Sequence, residues 1–204
     1  MQEPRSRYHH GDLRASLIAT GLELTRTGGP DALRLREVAR WVGVSPNAAY
    51  RHFANHQALI AAVAAEVQDR MAQGMRKQAA TDHVESPAAR SVARLRGVGL
   101  GYVGFALEEP GWFRLAFFAP GDVERPDGRM PPPLTLLHEA LDDLAAAGVI
   151  DSKRRKGAEW SCWSTVHGLA ELAIHGPLRH LPRDEARAIA ERAVDDIIAG
   201  VLRP

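Results

Sequence analysis

Residues Arg34–Phe53 read RLREVARWVGVSPNAAYRHF, and the punctuation inside them specifies two short helices set at an angle by a tight turn. Leu35, Val38, Ala39 and Val42 recur at spacings of three and four, the period of a helix that buries one stripe. Gly43 follows, and glycine reaches the left-handed backbone region that stops a helix without steric penalty. Val44 is placed to plug the corner. Ser45 then Pro46 is a start signal: the serine oxygen accepts from unpaired first-turn amides, and proline suits the first helical position. The spacing predicts a second helix over Pro46–Phe53, with Ala49 and Phe53 facing inward. Asn47, Ala48, Tyr50, Arg51 and His52 are left facing outward or to the flanks. So short a helix is not stable alone. Propped on a second helix, with small and polar residues outward, it has the size and chemistry that a DNA major groove admits.

On the amino-terminal side, Asp12 can cap a helix reaching about Thr27, with Leu13, Leu17, Gly21 and Leu24 on one stripe and Gly28-Gly29-Pro30 as its stop. Leu33 is expected beneath the helix pair, and Arg34 at the helix start, where it can meet a DNA backbone. Arg36 and Arg40, four apart, lie on the outer side of the first short helix. Trp41 is expected to pack against the helix after the pair. Met1–Gly11 reads as a polar arm whose Arg5 and Arg7 are available to a minor groove or a phosphate. On the carboxy-terminal side, Asn55 is a candidate cap for a long helix to about Ala80, with Leu59, Ile60, Val63, Val67 and Met71 as its buried stripe. One continuous rod would link the first module to the rest of the chain, so that its tilt changes the spacing of two recognition helices.

The chain has 204 residues and 45% hydrophobic content, enough for one large or two small domains with a real core. Its one cysteine, Cys162, cannot form an internal disulfide and suits a reducing cytoplasm. No apolar run reaches the roughly 18–20 residues of a membrane span, and the polar start holds no signal core. The net charge of +1 hides an asymmetry. Residues 1–56 carry eight arginines against five acids, and four of the nine histidines. A basic bias at that end fits contact with phosphate.

Beyond a polar break at Thr81–Glu85, Ser86-Pro87 opens a helix that Glu109-Pro110 closes. It contains Gly97, Gly99, Gly101 and Gly104, each costing about 1 kcal/mol relative to alanine. Close helix packing, or room for a ligand beside Tyr102 and Phe105, would account for them. Gly111–Phe118 reads as a short aromatic helix holding Trp112, Phe113, Phe117 and Phe118, either a core plug or the wall of an apolar pocket. Ala119–Pro133 is loop. Leu134–Ala147 is amphipathic, with Leu134, Leu137, Leu141 and Leu144 inward and His138 beside them as a polar contact for a ligand. Lys153–His175, capped by Asp151, is expected as one helix, apolar over a wide arc that includes Trp160, Trp163 and Val166. The last helix, Arg183–Leu202, carries Ile189, Ala193, Ile197 and Val201 as its stripe, with Val194 and Ile198 widening it. Two adjacent long helices with wide apolar arcs suggest a four-helix interface between two copies of the chain.

Enzyme chemistry finds little support. His167, Glu171 and His175 share a helix face, but two turns separate the histidines, too far for one ion. Cys162 and His167 lie well around the helix from each other, a poor nucleophile pair. There is no phosphate-cradling glycine loop and no HExxH. No motif requires a cofactor.

LREVARWVGVSPNAAYRHF, with ALIAAV shortly after it, resembles the DNA-binding domain of the tetracycline-repressor (TetR) family over roughly Asp12–Val67. Two positions depart from the family's pattern: Ala49, where a bulkier residue is usual, and His56, where a phosphate-binding lysine often stands. WSTVHGLAEL, with Trp163, His167 and Gly168, and the EEPGWFRLAFF segment are similar to the Trp-His-Gly class of carboxy-terminal domain in such regulators. The resemblance implies an all-α protein: a helix-turn-helix DNA-binding domain at 1–56, and a ligand-binding and dimerisation domain at 57–204 joined through a linking helix. It further implies a cytoplasmic homodimeric repressor, released from a palindromic operator in double-stranded DNA by a small apolar or aromatic effector. Arg34, Arg36, Tyr50, His52 and His56 would meet phosphates, while Asn47, Ala48 and Arg51 read bases from the helix that Ser45 and Pro46 start. Tyr102, Phe105, Trp112, Phe113, Phe117, His138, Trp163 and His167 would line the effector site. A regulator without an effector, and a helical enzyme or carrier, are the alternatives.

Overall fold

A computed structural model describes residues 12–80, 86–119 and 125–203. Among them are ten α-helices and no strand. The arm Met1–Gly11, the break Thr81–Glu85 and residues 120–124 lie outside the described residues.

The helix pair forms as its punctuation requires. Helix α2 (Leu35–Val42) buries Leu35, Val38, Ala39 and Val42 and ends at Gly43, whose φ of 80° lies in the left-handed region. The Ser45 hydroxyl accepts from the Ala48 amide at 3.2 Å, and Pro46 opens α3. Helix α3 is shorter than expected, Pro46–Tyr50, but Ala49 and Phe53 are both buried. Helix α1 (Leu13–Gly28) is capped by Asp12, which accepts from the Ala15 amide at 3.0 Å. Its buried positions are Leu17, Gly21, Leu22 and Thr25, so the stripe is rotated from the expected one, with Leu13 and Leu24 only half-buried. Asn55 accepts from the Ala58 amide at 2.8 Å and caps α4 (His56–Gln78).

Helix α4 runs through both cores. Leu59, Ile60, Val63 and Val67 pack with α1, α2 and α3. One turn on, Met71, Ala72 and Met75 belong to a second core built by α5 (Pro87–Glu108), α7 (Pro132–Ala146), α9 (Ala158–Ile174) and α10 (Arg183–Leu202). The glycines of α5 have different causes. A Cβ at Gly97 would stand 2.6 Å from the Ala79 Cα and from the Gln78 carbonyl oxygen. One at Gly101 would stand 2.8 Å from the Met75 Cα. At these two positions the backbones of α4 and α5 approach too closely for any side chain. Nothing lies within 4 Å of a Cβ at Gly104, so packing does not account for that one.

Three expectations are corrected. The helix expected over Lys153–His175 is broken into α8 (Ser152–Arg155) and α9, because Gly157 sits at φ 80° between them. Trp41, expected to pack against α4, is 62% exposed. The inward stripe of α10 is Ala186, Ala190, Val194 and Ile198, leaving Ile189 exposed. Ala186 and Ala190 seat the first half of α10 and Val194 and Ile198 the second, while Ala193, Ile197 and Val201 are half-buried against the same core.

Candidate functional site

The exposed face of the helix pair is polar and unneutralised. Ser45, Pro46, Asn47, Tyr50, Arg51 and His52 are exposed on and just after α3, and Ala48 is half-buried. Arg34 and Arg36 are exposed at the start of α2. Among the described residues no carboxylate pairs with Arg34, Arg36 or Arg51, whereas Arg40 reaches Glu37 at 3.6 Å. Three free guanidinium groups beside a short helix with a bare, small-residue face make a surface that accepts an anionic backbone. The His56 ring nitrogen contacts the carbonyl oxygen of Leu33, which ties the start of α4 to the strut below α2. Arg14 lies over the Phe53 ring, 5.3 Å from its centroid.

In the second core an aromatic cluster surrounds Tyr102. Its ring meets Phe113 edge-on at 5.6 Å and Trp163 at 5.0 Å, and Phe117 lies 4.9 Å from Phe113. His167 stacks on Trp163 at 5.8 Å and on Phe118 at 5.2 Å. The Tyr102 hydroxyl is 2.7 Å from His167 Nδ1. With the ring proton on Nε2, the Tyr102 hydroxyl donates and Nδ1 accepts. Burial pushes the Tyr102 hydroxyl far above its ordinary value, keeping it a donor. Next to the cluster is a cavity of about 20 Å³ walled by Met75, Val98, Tyr102, Leu137, Trp163 and Val194, room for about one water. Cys162 also lines it, and burial pushes its thiol up to about 11, so it is no ready nucleophile.

Burial holds the His167 imidazole below its ordinary value, against the pull of Glu171 in the other direction. The unfolded chain takes up this proton near pH 6.5 and the folded chain only at lower pH, so below about 6.5 the unfolded state binds more protons. Stability is therefore expected to fall as pH drops from about 6.5 toward the lowered folded value. Thermal midpoints at about pH 7.5 and 5.5, on either side of the ordinary histidine value of about 6.5, should differ more for the native chain than for His167→Gln, and equal differences would contradict this.

Helix α6 (Pro110–Phe118) joins the two regions. Trp112, Leu115 and Ala116 are packed in the amino-terminal core, while Phe113 is in the other. The Trp112 indole donates to the Leu22 carbonyl at 2.8 Å and lies under the guanidinium groups of Arg26 and Arg70. Arg26 binds both carboxylate oxygens of Glu109, at 2.8 and 2.6 Å. Gln68 donates from α4 to the Ala116 carbonyl at 3.4 Å.

Two family profiles match the chain. Residues 17–63 match the bacterial regulatory proteins of the tetR family, and residues 95–197, half the chain, match the tetracyclin repressor-like C-terminal domain. The chain belongs to the TetR family. It is a DNA-binding transcriptional regulator, and α2 and α3 are its helix-turn-helix. No curated protein matches it. Among solved structures it is similar to a protein of unknown function from Rhodococcus sp. RHA1, at 28% identity over 98% of this chain and 100% of that one, with a TM-score of 0.67. TetR-Q116A from Acinetobacter baumannii AYE, solved with minocycline, shares the fold at 21% identity over 92% and 94% of the two chains, with a TM-score of 0.63. FadR from Bacillus subtilis, solved with stearoyl-CoA, does so at 12% identity over 91% and 98%, with a TM-score of 0.67. No described helix of this TetR-family regulator is long and apolar enough to cross a membrane.

The TetR fold gathers some of the expected pocket residues and scatters others. Tyr102, Phe113, Phe117, Trp163 and His167 form the one cluster. Trp112 is placed at the junction with α1, with Phe105 stacked on it at 6.4 Å. The His138 ring is turned to Arg155, at 3.3 Å, in a network with Asp142 and Glu159. His175 pairs with Glu171 at 2.9 Å rather than with His167. Sequence reasoning missed the partners of α6 altogether. Arg26, Glu109, Leu22 and Gln68 make long-range contacts, and no local pattern points to them.

Proposed function

We propose that this regulator is a repressor that binds a palindromic operator as a homodimer and is released when a small apolar or aromatic effector enters the carboxy-terminal bundle. The observation that carries the reading is the double membership of α6. A ligand that displaces Phe113 or Phe117 must move Trp112, and with it the surface on which α1 rests. Release then follows if the ligand favours the form whose recognition helices no longer match two half-sites. The minocycline and stearoyl-CoA bound by two proteins of the same fold support an effector site.

In this reading residues 1–56 engage DNA and 57–204 bind effector and partner copy. Arg34, Arg36, Tyr50, His52 and His56 meet phosphates, while Asn47, Ala48 and Arg51 face bases. The effector wall is the Tyr102, Phe113, Phe117, Trp163 and His167 cluster, in which Trp163, His167 and Gly168 carry the Trp-His-Gly signature. Trp160 and Leu172 on α9 and Ile189 on α10 are exposed apolar side chains, and a four-helix contact with a second copy would bury them. The protein would work in the cytoplasm.

Tyr50→Ala is expected to abolish the gel shift with the promoter of a neighbouring gene and to leave the dimer intact by light scattering. Loss of the dimer would refute the assignment of Tyr50 to the DNA face. A regulator without an effector is the second reading, favoured by the small size of the central cavity. A thermal-shift screen with apolar and aromatic compounds separates the two: no compound raising the midpoint favours the second.

A further inference from the structure

A larger cavity lies further along α5 and α9, beside the 3-10 turn Pro177–His180 that leads into α10. Its volume is about 320 Å³, within the range of sites for small organic molecules. Ala106, Leu107, Ile174, Leu178 and Leu181 give it apolar walls, and its only charged lining residues are Arg179 and Arg183. Both arginines are exposed. Arg179 spends one nitrogen on the Gly176 carbonyl, at 3.1 Å. Arg183 has no partner among the described residues.

An apolar well with two cations and no carboxylate selects a molecule of matching asymmetry. A neutral apolar compound would leave the guanidinium groups unused, and a bare anion would leave the well unfilled. We propose that this cavity binds an anionic amphiphile, its apolar body against Leu107, Ile174 and Leu178 and its carboxylate or phosphate head held by Arg179 and Arg183. Guanidinium forks suit either head, and at the edge of an apolar wall such charge-assisted hydrogen bonds are strong. The site is separate from the aromatic cluster. Pro110, the first residue of α6, also lines it, so its occupant touches both the segment joining α9 to α10 and the helix shared with the amino-terminal core.

Isothermal titration of the full chain with decanoate, decyl phosphate and 1-decanol, each below its aggregation concentration, tests this. At least one of the two anions should bind with one molecule per chain, at least tenfold more tightly than decanol, and their ranking identifies the head group. The double variant Arg179→Gln/Arg183→Gln should lose at least tenfold in affinity for the anion and leave decanol unaffected. Both side chains are exposed and pair with no carboxylate among the described residues, so an unchanged thermal midpoint will show that the fold is kept. Failure of both anions to bind, equal affinity for decanol, or anion binding that survives the double substitution would each overturn the proposal.

Discussion

Replacing Gly111 by alanine is expected to lower the thermal midpoint by roughly 10 °C and to loosen the junction between the two cores. A Cβ there would stand 2.5 Å from the Thr25 carbonyl oxygen and closer still to that of Arg26. Both are backbone atoms at the end of α1, so no rotamer change relieves the clash. Either α6 moves away from α1 or the last turn of α1 unwinds. The Trp112–Leu22 hydrogen bond and the Arg26–Glu109 pair, which cross the same junction, are strained together. Overpacking of this kind costs on the order of 3 kcal/mol, which for a chain of this size gives the stated shift. Gly74→Ala is the control. Gly74 lies inside α4 with nothing within 4 Å of a Cβ, so alanine should stabilise by about 0.5–1 kcal/mol through helix propensity. Equal effects at the two positions would refute the close approach of α6 to α1.

Arg34→Gln with Arg36→Gln is expected to weaken binding to operator DNA by about 60-fold at about 0.1 M salt, uniformly across sequences. Each phosphate contact contributes about 0.9 to the slope of log affinity against log salt. Removing two makes the slope shallower by about 1.8, and over the decade between about 1 M and 0.1 M salt that is the quoted factor. Neither arginine pairs with a carboxylate among the described residues, so the substitutions break no internal ion pair there and circular dichroism should be unchanged. Arg51→Gln should behave differently. Removing a base-reading side chain from the flank of α3 costs about 1–3 kcal/mol at one operator position and relaxes the preference there. Titrations at several salt concentrations discriminate these outcomes, and an unchanged slope in the double variant would remove Arg34 and Arg36 from the phosphate-binding set.

Local signals define the amino-terminal half. Asp12, Ser45, Asn55 and Ser86 cap helices because each is a short oxygen-bearing side chain just before a helical run. Gly43 stops α2 because only the left-handed region lets the chain turn there. The departures share a cause. Apolarity alone puts Trp41 and Ile189 inside, and the fold turns them out. Periodicity finds an apolar arc but does not say which part of a wide arc meets this chain. On α10 the innermost positions are Ala186, Ala190, Val194 and Ile198, with Ala193, Ile197 and Val201 half-buried beside them. Gly157 is a single glycine in a helical pattern, and whether such a residue is tolerated or breaks the helix depends on where the next segment must pack.

What the sequence determined by itself was most of the helices, the caps at Asp12, Ser45, Asn55 and Ser86, the stop at Gly43 and the exposed polar face of α3, because these depend on residues within one or two turns of each other. What only the tertiary structure decided was which distant side chains meet. Trp112 joins α1 while Phe113, its neighbour in the chain, joins Tyr102, because adjacent helical residues point about 100° apart and α6 is wedged between two cores. Arg179 and Arg183 likewise border an apolar well whose other wall comes from α5, and no spacing within their own segment records it.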